Sequence, residues 1–388
     1  MKIQLRWRSK IFTIIEQFFC FDQIARISPL FFLVLFSIVF ISLVLLYSAG
    51  HGFSPWCIKQ LIHFALGFSI MILTASTPIK MWYSLAYIIY FVALGALALT
   101  AILGTIGMGA QRWLKVASIQ FQPSELMRIA LVMALARRFS DAPLTESSQI
   151  RKLFIPFILV AVPVFITTKQ PDLGTALLLL AGSGVLFFFA GMRMRIVAVV
   201  LSGFFASLPI LWQFLHDYQK NRIFTFLNPE KDPLGNGYHI IQSKIAIGSG
   251  GFWGKGFMKG TQGALDFLPE KHTDFIFTLL SEEFGFIGIT LLVGLYVVLI
   301  FFNFLLSISL KDEFARLLIT GMTISFSLYA IINIAMVVGL LPVVGIPLPL
   351  VSYGGTSLVT LLISQGLILS AAFYRTKKRN VDIFLSKT

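Results

Sequence analysis

The segment FLPEKHTDFIF, residues 267–277, brings ionisable side chains to the start of a long apolar run. Glu270, His272 and Asp274 crowd a boundary where water would meet hydrocarbon. A carboxylate in such semi-apolar surroundings can have its pKa raised toward neutrality, which suits a general base. The structural alternative is that Asp274 only caps the helix that follows.

Two further motifs put charged side chains beside apolar runs. In QPSELMR, residues 122–128, Glu125 and Arg128 are three positions apart and share one helical face, so they can form an ion pair. In QPDLGT, residues 170–175, Asp172 falls in a short turn. Both motifs also have structural explanations, because a carboxylate favours a helix N-terminus and Asp is a good N-cap residue. Ionisable residues beside membrane-length apolar runs are costly, so each one is a functional candidate.

The elements that carry these residues follow from the composition of the 388-residue chain. Hydrophobic residues make up 57%, charged residues make up 12%, and the mean hydropathy is +0.86. Soluble domains carry about 25% charged residues, so a soluble enzyme and a disordered chain are both excluded. The apolar residues come in blocks long enough to cross a bilayer core of about 30 Å. The sequence therefore predicts an all-α polytopic membrane protein rather than a β-barrel, whose strands are short and alternate in polarity.

We predict about ten transmembrane helices. Their approximate limits are 28–48, 56–75, 82–104, 123–140, 152–168, 175–191, 194–215, 275–308, 314–338 and 357–374. The eighth is too long for the bilayer core and should tilt, protrude or kink near Gly285 and Gly288. Within it, Glu282 and Glu283 point about 100° apart, so at least one of them should face a cavity or a basic neighbour.

Lysine and arginine residues are concentrated in one set of the predicted short loops and in both terminal tails. By the positive-inside rule, both termini should lie in the cytoplasm. The chain then divides into a cytoplasmic tail at 1–27, a transmembrane domain at 28–374 and a basic cytoplasmic tail at 375–388. The long loop at 216–274, between spans seven and eight, should be extracytoplasmic. The net charge of +14 fits a membrane protein with basic cytoplasmic loops, and no nucleic-acid-binding motif is present.

Two regions differ from the regular spans. In the long loop, residues 238–251 are predicted to form a short amphipathic helix. Its predicted apolar side carries Ile240, Ile241, Ile245 and Ile247, and its polar side carries Gln242, Ser243 and Lys244. Such a helix would lie along the membrane interface or pack as an ordinary loop helix. Residues 339–355 are apolar but rich in proline and glycine, so they cannot form a regular helix. They could line a lipid-facing groove or form a re-entrant transporter gate.

Seven motifs, in order, make the chain resemble the SEDS family (shape, elongation, division and sporulation; RodA, FtsW and SpoVE). They are GAQRWL (109–114), FQPSEL (121–126), QPDLGT (170–175), HDYQKNR (216–222), DPLGNGYHIIQSKIAIGSGG (232–251), FLPEKHTDFIF (267–277) and PLPLVSYGG (347–355). The resemblance covers essentially the whole membrane region, and the loop at 254–270 is more similar to RodA-type members than to FtsW-type members. One departure is Arg128, where the family usually has lysine. Because arginine stays protonated, the departure argues against a proton-releasing role there.

The resemblance implies a peptidoglycan glycosyltransferase of the bacterial inner membrane that acts in cell-wall elongation and cell shape. Such an enzyme polymerises lipid II into glycan strands, releases undecaprenyl diphosphate and works with a class B penicillin-binding protein. Asp274 matches the residue proposed as catalytic in the family and would be the base that deprotonates the acceptor hydroxyl. Glu125 and Arg128 match a polar pair that faces the central cavity.

The departing diphosphate needs charge stabilisation rather than an acid. Weaker candidates for that task are Arg112, Lys244 and Lys255. Further candidates for the substrate cavity are Asp172, Glu270 and His272. A divalent cation, Mg²⁺ or Mn²⁺, could share the task, although the sequence has no evident constellation of metal ligands.

Two other functions share many of these features. A transporter that flips lipid II would have the same cavity, intramembrane charges and irregular apolar segment, but it would make no polymer. A non-enzymatic scaffold for a penicillin-binding protein would tolerate replacement of Asp274 without loss.

Overall fold

The computed structural model describes residues 29–107, 110–116, 119–144, 149–213, 215, 217–232, 235–261 and 271–385. Within them the chain forms twelve helices, three short strands and one 3-10 turn. The helices are α1 Pro29–Ala49, α2 Pro55–Ser76, α3 Ile79–Leu103, α4 Pro123–Asp141, α5 Gln149–Lys169, α6 Leu173–Phe189, α7 Met194–Gln213, α8 Asp217–Leu227, α9 Asn236–Gly250, α10 Ile276–Ile308, α11 Glu313–Val338 and α12 Gly355–Leu385. The strands are β1 Thr105–Gly107, β2 Ala110–Val116 and β3 Ile119–Phe121, and the 3-10 turn is Pro229–Lys231.

Each of the ten predicted spans is present as a helix. Among the described residues, seven helices are long and apolar enough to cross a membrane, namely α1, α2, α3, α5, α10, α11 and α12. Helices α6 and α7 include shorter apolar stretches, and α4 carries several charges although most of its side chains are buried. The predicted polytopic helical fold is confirmed. The predicted tail at 1–27 lies outside the described residues, while α12 continues past the predicted end at residue 374.

The helix ends follow their local sequence. Asp172 caps α6 by accepting a hydrogen bond from the Thr175 amide, as predicted, and Asp312 caps α11 in the same way. Pro123 occupies the first turn of α4, where its missing N–H is not needed. Helix α11 ends at Gly339, which adopts a left-handed conformation with φ of 80°.

A small antiparallel sheet, in the order β1-β2-β3, lies between α3 and α4. It departs from the all-α prediction, which treated this stretch as a loop. The register pairs Leu114 with Phe121, and the sheet runs directly into α4. It stands at the end of the helix bundle that carries residues 217–232, 235–261 and 271–274, which we call the loop end.

The predicted amphipathic helix of the long loop is confirmed as α9, with Ile240 buried as its apolar side requires, but Ser243 and Ile245 lie on the opposite faces from those predicted. Ser243 is fully buried, and its Oγ donates to the Val337 carbonyl at 2.7 Å and lies 2.9 Å from the Thr278 hydroxyl. Ile245 is instead exposed. Helix α9 packs against α10 and α11, because the small side chains of Ser243 and Ala246 allow close approach. Helix α9 therefore packs as a loop helix, and its position relative to the membrane interface stays a prediction.

Helix α10 is kinked at Gly285, as predicted, with φ of 61° and ψ of −156°. Residues 251–261, which we call the strap, fill the kink. The Lys255 amide donates to the Glu282 carbonyl and the Phe286 amide donates to the Gly251 carbonyl. A Cβ atom on Gly285 would lie 2.3 Å from the strap backbone, so only glycine fits there.

The irregular segment 340–354 is apolar and largely buried, and its backbone is bonded by side chains from several helices. Ser42 donates to the Val351 carbonyl at 2.7 Å, Gln60 to the Ser352 carbonyl at 3.2 Å and Tyr296 to the Pro349 carbonyl at 2.6 Å. These bonds replace the ladder that a helix would supply, which is the condition for irregular backbone at membrane depth.

Candidate functional site

Asp274 lies at the loop end of the bundle, in the turn that precedes α10, and is partly exposed. Phe275, not Asp274, occupies the N-cap position of α10, and its side chain makes no capping hydrogen bond. The carboxylate approaches the irregular segment instead. Its Oδ2 is 3.4 Å from the position that a Cβ atom on Gly345 would occupy.

Arg112, on β2, reaches the same place from the other side. Its Nη1 is 3.9 Å from the same Cβ position on Gly345, and its Nε is 3.4 Å from Asp172 Oδ2. Asp172 also caps α6, where it accepts hydrogen bonds from the Thr175 amide and, at 2.8 Å, from the Thr175 hydroxyl. We call Asp274, Arg112, Asp172 and Gly345 the mouth cluster. It brings four elements to one point and combines two carboxylates with a guanidinium.

Arg222, on α8, is a further residue at this point, and the sequence analysis gave it no role. Its Nη1 donates to the Val344 carbonyl at 3.2 Å, next to Gly345. Gly345 has φ of 78°, a conformation that favours glycine, so no side chain stands between Asp274 and Arg112. The only signal in the sequence was that Arg222 belongs to the HDYQKNR motif.

Glu125 and Arg128 form the predicted ion pair, with 3.2 Å between Arg128 Nη2 and Glu125 Oε2. The Tyr329 hydroxyl donates to Glu125 Oε1 at 2.9 Å and the Thr360 hydroxyl to Oε2 at 3.3 Å. The guanidinium carbon of Arg128 also lies 4.8 Å from the centre of the Tyr329 ring. We call these four residues the buried cluster, since both charged side chains are only 4% exposed.

The buried cluster lies directly beneath the mouth cluster. Tyr329 packs against Val344 and Ile346, the two neighbours of Gly345. Within the described part of the chain, Arg128 Nε and Nη1 have no hydrogen-bond partner. The pair is therefore held mainly by charge and by the tyrosine ring rather than by a saturated hydrogen-bond network.

His272 belongs to an aromatic group beside the mouth cluster. Its ring stacks on Trp56 with 4.4 Å between centroids and 11° between planes, and Tyr353 lies 6.0 Å away. The Tyr353 amide donates to the His272 carbonyl at 2.9 Å. His272 thus joins α2 to the irregular segment.

The two candidate lysines lie in different places. Lys255, in the strap, has its Nζ 2.7 Å from Oε1 of Glu282, a buried carboxylate on α10. This pair confirms the prediction that at least one of Glu282 and Glu283 faces a cavity or a basic neighbour. Lys244 extends over Gly339, where any Cβ would meet its side chain, and its ammonium lies near the C-terminal end of α11. Glu270 lies outside the described residues. Within those described, no group of three or more His, Cys, Asp and Glu residues could hold a metal ion.

Comparisons with known proteins agree with the arrangement of these motifs. The sequence model of the family described as Cell cycle protein, which comprises FtsW, RodA and SpoVE, matches residues 23–377. The chain belongs to this family.

Relatives in the family include enzymes named for their activity. The peptidoglycan glycosyltransferase MrdB of Escherichia coli is 39% identical over 351 residues, which are 90% of this chain and 94% of the relative. MrdB of Helicobacter pylori is 36% identical over 349 residues, 89% of each chain. The probable peptidoglycan glycosyltransferase FtsW of Trichlorobacter lovleyi is 35% identical over 363 residues, 90% of this chain and 93% of the relative.

Solved structures share the fold. A chain of a peptidoglycan synthase complex, described as coordinating polymerization and crosslinking, is 32% identical, with a TM-score of 0.76 over 88% of this chain and 96% of its own. The rod shape determining protein RodA of Thermus thermophilus is 28% identical, with a TM-score of 0.67 over 88% and 95%. In this member of the FtsW/RodA/SpoVE family, the residues of the mouth cluster and Arg222 belong to motifs that are far apart in sequence, and the fold brings them together.

Proposed function

We propose that this protein is a peptidoglycan glycosyltransferase that polymerises lipid II into glycan strands during cell-wall elongation. The observation that carries the proposal is the mouth cluster, where the Asp274 carboxylate and the Arg112 guanidinium flank the backbone of Gly345. Its relatives of matching length are named peptidoglycan glycosyltransferases, which supports the same activity here.

In the proposed reaction, Asp274 takes the proton from the acceptor sugar hydroxyl. The hydroxyl oxygen then attacks the anomeric carbon of the donor from the face opposite the lipid diphosphate. One C–O bond to the acceptor forms, the C–O bond to the diphosphate breaks with its electron pair, and the configuration inverts. General-base assistance of this kind contributes about 10²–10⁴-fold.

The leaving diphosphate carries its negative charge away without needing a proton. Arg112 lies beside Gly345, and its contact with Asp172 at 3.4 Å holds the guanidinium in place. Arg222 and Lys244 are proposed to contribute further positive charge at the loop end. Lys255 is a weaker candidate for binding the diphosphate, because the Glu282 carboxylate already neutralises its charge. A divalent cation remains a separate prediction, and the proposed steps use only protein groups.

We further propose that the loop end faces outward and that both termini are cytoplasmic, with a class B penicillin-binding protein as partner. The orientation rests on the distribution of lysine and arginine, and the partner on the similarity to a chain of a synthase complex.

Cysteine labelling tests the orientation. With Cys20 and Cys57 replaced by serine, Lys231→Cys should react with an impermeant maleimide from outside, and Lys311→Cys only after permeabilisation. The reverse pattern would overturn both the orientation and the mechanism.

The test of the chemistry is Asp274→Asn, which keeps the shape but cannot accept a proton. With labelled lipid II and the purified chain, polymer yield should fall at least about 10²-fold. Asp312→Asn is the matched control, because Asp312 is also a carboxylate before a long helix and asparagine still caps. If folded Asp274→Asn gave the wild-type polymer yield, Asp274 would not be the general base. Transport of lipid II without polymer by the wild type would favour a flippase.

A further inference from the structure

Asn333 lies in the middle of α11 and is completely buried. Its single amide nitrogen donates two hydrogen bonds to two different parts of the chain. One goes to the Asp274 carbonyl at 2.9 Å and the other to the Ile346 carbonyl at 2.7 Å. An asparagine amide has two N–H groups, so both are committed here.

The two acceptors belong to the two irregular stretches that form the mouth cluster. Asp274 lies in the turn before α10, and Ile346 follows Gly345 in the segment 340–354. Neither carbonyl lies within a regular helix, so each needs a partner from elsewhere when it is buried. Asn333 therefore sets the position of the Asp274 backbone relative to the backbone beside Gly345.

We propose that Asn333 is a positioning residue for Asp274, acting through the main chain and without touching the substrate. The inference rests on the proposed function, in which the Asp274 carboxylate must be placed to take the proton from the acceptor hydroxyl. A second link, from the Ser352 hydroxyl to the Thr273 carbonyl at 2.6 Å, joins the same two stretches one residue away. Asn333 is the link that acts on Asp274 itself.

The consequence for catalysis follows from geometry. A misplacement of a catalytic group by about 1 Å can cost about 10²-fold in rate. Asn333→Asp has nearly the same shape but lacks the amide donor, so it cannot hold the two carbonyls together. The chain offers a matched control in Asn303, which is equally buried on α10 and donates to Gln365 at 3.4 Å, away from the mouth cluster.

The experiment measures initial polymerisation rates against lipid II concentration for purified, folded variants. Asn333→Asp should lower kcat about 10²-fold with little change in KM, whereas Asn303→Asp should keep kcat. Asn333→Ser, which keeps one donor, should be intermediate and serves if Asn333→Asp does not fold. In an Asp274→Asn background, adding Asn333→Asp should cost almost nothing more, because the group it positions is already disabled.

The outcomes separate the two claims. An unchanged kcat in folded Asn333→Asp or Asn333→Ser, with Asp274→Asn inactive, would overturn the assignment of Asn333 and leave the proposed base intact. A full additional loss in the Asp274→Asn background would also overturn it, since the two residues would then act independently. Wild-type polymer from Asp274→Asn would instead reject the proposed base.

Discussion

Two ion pairs in this protein have the same residues at the same spacing but very different surroundings. Glu125–Arg128 lies in the first turns of α4, and Glu313–Arg316 lies in the first turns of α11. The exposed pair has the shorter contact, 2.6 Å against 3.2 Å, yet its side chains are 44% and 38% exposed. Contact distance is therefore a poor guide to energy, and burial is the quantity that distinguishes them.

The difference also lies in what surrounds each pair. The buried glutamate is bonded by two hydroxyls, from Tyr329 and Thr360, and the arginine lies over an aromatic ring. Removing one member of such a set leaves an uncompensated charge away from water. At the surface, water and salt replace whichever partner is lost.

Arg128→Ala should have the largest effect. It leaves Glu125 buried without its cation, so unfolding free energy should fall by about 3–5 kcal/mol, with loss of polymer. The measurement is thermal unfolding in detergent, together with polymerisation of labelled lipid II. The double variant Glu125→Gln with Arg128→Met is the control, because it removes both charges and should recover much of the stability. If it also recovers full activity, the pair serves the fold alone.

Tyr329→Phe should have a smaller effect, since it removes only the hydroxyl that donates to Glu125. A hydrogen bond to a charged group is worth about 1.5–3 kcal/mol, and that is the expected loss of stability. The ring that faces Arg128 is retained. A loss as large as that of Arg128→Ala would mean that the hydroxyl, not the cation, holds the carboxylate.

Arg128→Lys should be tolerated, with a cost of about 1 kcal/mol. Lysine keeps the positive charge, and the two nitrogens that Arg128 leaves without partners are simply absent. Polymer yield should stay near the wild-type level. A loss of activity equal to that of Arg128→Ala would show that the planar guanidinium itself is required, and would refute the interpretation by charge.

Arg316→Ala should have the smallest effect, about 0.2–0.5 kcal/mol, which added salt should remove. Unfolding at low and high ionic strength measures it. A cost comparable to that of Arg128→Ala would break the comparison between the two pairs.

The sequence was sufficient to predict the regular elements and the charged members of the site. Long apolar runs predicted the helices, and the three-residue spacing predicted the Glu125–Arg128 pair. It was insufficient for Tyr329 and Asn333, because a single polar residue within an apolar helix carries no periodic signal. Ser243 was assigned to the wrong face for a related reason: its small size suits tight packing, which hydropathy does not measure. The sheet around Arg112 is too short for its pattern to be seen.

The irregular segment 340–354 has a consequence for biosynthesis. Its bonds reach back to Ser42 and Gln60, about 300 positions earlier in the chain. Contacts of such long sequence separation form late, after the intervening helices have been made and inserted. The place where Asp274 meets Gly345 therefore cannot exist in a nascent chain that is still being translated through α11. If the helices are inserted one after another, the chain lacks the Asp274–Gly345 contact until residues 340–354 have been made.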